Sequence, residues 1–184
     1  PGPQAKGTLK GTGNHMQAGA GSGNAVNVVR GVAGTANTFG VLVGTISTNV
    51  IGTAGTAGSG SANGSGISVA SLGNGGATRV TLANNSIREY GVNGISLSAS
   101  DAATGHTFES KVQSNNIQNG SAASADGIAI VMGAQSTDHL NVCLNVGGSS
   151  TAGNIVVAAQ QFGISAQSTG STQPPTAVLL QGWN

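Results

Sequence analysis

Charge is what this sequence has least of: six Lys or Arg and five Asp or Glu among 184 residues, for a net charge of +1. The charged coat of an ordinary cytosolic globule is missing, so solubility rests on Asn, Ser, Thr and Gln. Without clustered Lys or Arg there is no electrostatic footprint for a phosphate backbone. One Trp, one Tyr and three Phe supply no base-stacking platform, and both points argue against a nucleic-acid partner. The single cysteine, Cys143, cannot close an internal disulfide; flanked by Val142 and Leu144, it reads as a small buried hydrophobe. No run approaches the ~20 apolar residues that a membrane-spanning helix needs, which argues against insertion. The start at Pro1-Gly2-Pro3 has neither an initiator Met nor a hydrophobic signal core, as expected of a mature or excised segment.

What is present is glycine, 32 residues of it, without the strict third-residue period of a collagen helix. Between the glycines stand apolar, β-branched runs such as Val41-Leu42-Val43 and Ile128-Ala129-Ile130-Val131, which a disordered chain would lack. These runs alternate, as in Ile67-Ser68-Val69 and Ile95-Ser96-Leu97, so each predicts a strand with one apolar side. No window holds a glycine-free helical stripe, and almost no helix is expected.

The runs also repeat. Val80-Thr81-Leu82-Ala83-Asn84-Asn85-Ser86-Ile87, a loop, and Gly94-Ile95-Ser96-Leu97 are followed by Lys111 through Asn119, a loop, and Gly127-Ile128-Ala129-Ile130. A decayed third copy runs from Leu140 to Val146 and closes on Gly153-Asn154-Ile155. Upstream, Phe39 through Ile46 lays over Phe108 through Ile117. The period is roughly thirty residues, enough for about six coils. Short strands of this kind bury a face only by stacking on the same strand of the next coil, at ~4.8 Å. Ile67, Ile95, Ile128 and Ile155 are the expected core positions. Asn84, Asn85, Asn115 and Asn116 are the expected hydrogen-bonded ladder at a corner, because Asn tolerates the left-handed backbone region and bonds its own kind one coil away.

The pattern Val-x-Leu-x-Asn-Asn-x-Ile, loop, Gly-Ile-x-Val resembles the right-handed parallel β-helix repeat proteins over roughly residues 39 to 160. These include pectate-lyase-like enzymes, phage tailspikes and large bacterial secreted or surface proteins. The Cys143 to Val146 stretch is similar to the C-terminal coils of non-enzymatic β-strand-repeat proteins. The resemblance implies an all-β right-handed β-solenoid over residues 25–173, with a flexible or capping segment at 1–24 and a strand or capping tail at 174–184.

The enzymes of that group use clustered carboxylates. This chain offers Glu89, Asp101, Glu109, Asp126 and Asp138; acids on adjacent coils can reach the separation that glycoside hydrolysis needs, and Glu89 with Asp126 is the least unsuited pair. Asp126 precedes Gly127 as Asn93 precedes Gly94 and reads first as a turn residue. His15, His106 and His139 are too dispersed for zinc. The glycines from Gly52 to Gly66 lack the lysine of a phosphate loop and read as a connection between strands. No catalytic residue, metal or cofactor is expected. The sequence predicts a secreted or cell-surface structural or adhesive solenoid that stacks head to tail on itself. The uncharged run Thr176-Ala177-Val178-Leu179-Leu180 and Trp183 would lie at that contact. The alternative is a β-helix that binds or cleaves a surface glycan.

Overall fold

A computed structural model describes residues 6–12, 15–16, 23–32, 40–100, 105–120, 125–133, 138–147, 153–168 and 177–180, with 6–12, 15–16 and 177–180 known by backbone pairing alone. Sixteen strands follow one another with no helix among the described residues. In chain order they are β1 (Lys6–Thr12), β2 (His15–Met16), β3 (Val26–Arg30), β4 (Val41–Ser47), β5 (Val50–Ile51), β6 (Ile67–Leu72), β7 (Ala77–Ala83) and β8 (Ser86–Arg88). Then come β9 (Asn93–Ser100), β10 (His106–Gln113), β11 (Asn116–Gln118), β12 (Asp126–Met132), β13 (Leu140–Gly147), β14 (Ile155–Val157), β15 (Ile164–Ser168) and β16 (Ala177–Leu180).

Every third strand pairs in parallel with the one before it, which makes three sheets: β1-β4-β7-β10-β13-β16, β2-β5-β8-β11-β14 and β3-β6-β9-β12-β15. The chain is a parallel β-solenoid, and its buried core extends over about three turns, from β3 to β13. β1 and β2 lie ahead of the solenoid boundary expected at residue 25, and they pair with β4 and β5.

The core is built from rows of like residues. Ile46, Leu82, Val112 and Val146 are in register in the first sheet, as are Ile51, Ile87, Ile117 and Val156 in the second. The third sheet stacks Val26, Ile67, Ile95, Ile128 and Ile164. Ile67, Ile95 and Ile128 are fully buried, each worth ~1.5–3 kcal/mol by transfer from water. The glycine before each has a steric reason. A Cβ on Gly94 would overlap the Ile117 side chain that turns in from the second sheet, and Gly66 and Gly127 meet Ile87 and Val156 in the same way.

Three expectations are corrected here. Ile155 is not core: it lies in β14, in register with Asn116, and is 56% exposed. The Gly-Ile pair that continues the third sheet is Gly163-Ile164, so the row is continued nine residues beyond the expected Ile155. Cys143 is exposed, because strict alternation turns Val142 and Leu144 inward and sends the residue between them out. The overlay of Phe39 on Phe108 is also shifted: Phe108 is in register with Thr78 and through it with Leu42, while Phe39 lies outside the described residues.

Candidate functional site

Three places gather chemistry: the corner between the first and second sheets, the outer face of the first sheet, and the corner between the third and first.

At the first corner, Thr48, Asn84 and Ser114 take left-handed backbone conformations, and the residue after each is a buried Asn. Asn49 donates from Nδ2 and its backbone N–H to Asn85 Oδ1 (2.9 and 3.1 Å); Asn85 donates likewise to Asn115 Oδ1 (2.9 and 3.1 Å), and Asn115 to Asn154 Oδ1 (2.9 and 3.1 Å). Each Nδ2 also bonds a carbonyl of the preceding turn: Asn85 to Ile46, Asn115 to Leu82, Asn154 to Val112. The ladder is therefore Asn49, Asn85, Asn115 and Asn154. Asn84 supplies the left-handed bend and is exposed, while Asn116 begins β11 and accepts from Gln118. The two Asn-Asn pairs are out of phase by one residue, since Asn85 bonds Asn115 and Asn116 pairs with Ser86. Sequence reasoning missed Asn49 and Asn154, though each stands just before a short apolar pair, Val50-Ile51 or Ile155-Val156.

A second bend follows the second sheet, where Gly52, Glu89, Asn119 and Ala158 have positive φ. Glu89 is buried there, and its Oε1 accepts from Gly55 N–H (3.0 Å) and Asn119 Nδ2 (3.1 Å), so it ties three successive turns. Asp126 is at the start of β12, in register with Asn93. Its Oδ1 accepts from Phe162 N–H (3.1 Å) and its Oδ2 from the Ser165 hydroxyl, so it fastens the next turn rather than serving only a tight bend. Both carboxylates are spent on backbone and side-chain donors of the scaffold. Tyr90 is fully buried nearby; burial, with a smaller contribution from Asp126, pushes its phenol up to about 12.

The outer face of the first sheet carries a shallow groove of about 660 Å³. Its floor holds two outward rows, Val43, Arg79, Glu109, Cys143 and Thr45, Thr81, Lys111, Asn145. Arg79 and Glu109 form an exposed ion pair at 2.9 Å, a contact that in water contributes ~0–1 kcal/mol. The groove is mostly apolar, with charge confined to Arg79, Glu109 and Lys111.

At the third corner Arg30 is buried in β3, donating from Nε to Ser71 Oγ (2.9 Å) and from Nη1 to the Gly40 carbonyl (3.2 Å); Ser71 in turn bonds Thr78 (2.8 Å). His106 and Asp138 are buried in the same corner. Of the residues expected at a self-association contact, Val178, Leu179 and Leu180 lie in β16, which pairs in parallel with β13 through Cys143 to Val146. Trp183 lies outside the described residues, as do Asp101 and Pro174-Pro175.

Among the described residues no three His, Cys, Asp or Glu side chains are grouped to hold a metal, and no helix is long and apolar enough to cross a membrane. The chain matches no protein-family model, no curated protein and no solved structure.

Proposed function

We propose that the chain is a non-enzymatic, extracellular or cell-surface β-solenoid of structural or adhesive role, wound right-handed through about six coils and stacking end to end on further copies of itself. The observation that carries this reading is the face presented by β14 and β15. Among the described residues no strand pairs with their outer edges, the Asn ladder has no rung after Asn154, and Ile155, Val157 and Phe162 are 56, 50 and 52% exposed. An open parallel edge bordered by apolar side chains templates another strand. The six strands of the first sheet support the coil count, and the strong general preference for right-handed crossovers between parallel strands supports the hand. Light scattering and electron microscopy of the chain and of the double substitution Ile155→Asp, Phe162→Asp test the assembly. Concentration-dependent particles or filaments that the substitution dissolves are expected; a chain that stays monomeric at every concentration overturns it.

A second reading, a β-helix that engages a surface glycan, rests on the groove of the first sheet, where Arg79, Thr81, Lys111 and Asn145 offer donors along an apolar floor. Calorimetry with soluble oligosaccharides on the parent and on Lys111→Ala tests binding. A reducing-end assay on Glu89→Gln and Asp126→Asn tests cleavage.

A further inference from the structure

The corner between the third and first sheets holds an imidazole in an unusual position. His106 begins β10 and is 5% exposed. Its backbone N–H donates to the His139 carbonyl (3.2 Å), and its Nδ1 lies 2.8 Å from the Gly73 carbonyl, a contact that requires the proton on Nδ1. The other ring nitrogen, Nε2, is buried with no hydrogen-bond partner among the described residues. In the neutral ring Nε2 is a bare acceptor, and its burial is tolerable; in the charged ring it becomes a buried donor with nothing to receive it.

The groups around it decide what a proton would meet. β3 brings the buried cation Arg30, the segment ahead of β13 brings buried Asp138 and exposed His139, and the connection ahead of β7, Gly73 through Gly76, brings no ionisable side chain. Asp101, ahead of β10, lies outside the described residues. Burial is the largest influence and disfavours the charged ring; Arg30 adds to it, while the Gly73 bond and Asp138 oppose it, and the net direction is downward from the usual 6.5.

We propose that His106 is an acid-sensitive latch: it ties the Gly73 connection of one turn to the His139 backbone of the turn two further on, and protonation, by burying an Nε2–H with no acceptor among the described residues, opens this corner. The sign follows from linkage. The unfolded chain binds the proton first, so the latch contributes in full above the unfolded value of about 6.5. Its contribution is lost as pH falls from there towards the lower folded value, the unfolding equilibrium constant rising by up to about tenfold per pH unit.

Thermal melts of the full chain between pH 7.5 and 5 are the test, on the parent, on His106→Asn, which keeps a donor for the Gly73 carbonyl but does not titrate, and on His139→Asn. The parent and His139→Asn midpoints are expected to fall with acid while His106→Asn stays level. A His106→Asn slope equal to that of the parent, or a level parent, overturns the latch. Should His106→Asn fail to fold, imidazole NMR titration of the parent replaces it. Support is a His106 ring that protonates below the usual 6.5, its protonation coinciding with faster amide exchange at Gly73 and His106. A ring that titrates near 6.5 with those amides still protected overturns the proposal.

Discussion

The middle turns, β7 to β12, and the last turn that follows them, β13 to β15, are made of nearly the same words and have different fates. Ile117 and Val156 are in register, yet Ile117 is fully buried and Val156 only partly so. Ile128 and Ile164 are likewise in register, one fully buried and the other half-buried. Asn115 is buried with a rung on either side, while among the described residues Asn154 has one only on the side of Asn115 and is partly exposed. Burial in a solenoid is thus a property of position in the stack as well as of the strand's own alternation. A residue needs a turn above and a turn below.

The largest test of this contrast places a carboxylate in the same row at two heights. Ile128→Asp is expected to abolish the fold, since a buried unpaired carboxylate costs several kcal/mol against a typical total of about 5–15. Ile164→Asp is expected to leave a cooperative melt by circular dichroism. Equal loss from both would mean that the last turn is covered as thoroughly as the middle.

Next in size is the ladder. Asn85→Ala and Asn115→Ala are each expected to cost about 1–3 kcal/mol in chemical denaturation, because each leaves a buried amide without its acceptor. The double variant should cost less than the sum, the two sharing one bond. Asn154→Ala should cost less than either, water replacing part of what is lost at a part-exposed rung. The smallest effect is expected at Cys143→Ser, within about 0.5 kcal/mol of the parent melt. A thiol reagent should label Cys143 in the native state at the rate of a free thiol, and protection there would reverse its outward assignment.

The same contrast marks how much could be read in the sequence. The Gly-Ile rows were legible because they carry a steric demand, a missing Cβ beside an inward side chain, that only one residue type meets. Three of the four Gly-Ile members, Ile67, Ile95 and Ile128, were found by spacing alone. Ile155 misled because Gly153-Asn154-Ile155 mimics that motif one sheet early, where the glycine precedes a ladder Asn instead. The Asn-Asn pairs misled by one residue. In Asn84-Asn85 the first amide serves the bend and the second the ladder, whereas in Asn115-Asn116 the ladder residue comes first and Ser114 takes the bend. Arg30 and His106 carry no repeat signal, since each contributes to its corner at one height in the stack.

The Asn ladder also gives the molecule an arrow. At every rung the earlier turn donates and the later turn accepts, from Asn49 to Asn154 without reversal. A second copy extending β14 would have to bring an amide oxygen to Asn154; two copies meeting with their last turns face to face would set donor against donor. Any filament grown by continuing this ladder therefore has two unlike tips and a single direction, and lengthening at one tip need not match lengthening at the other.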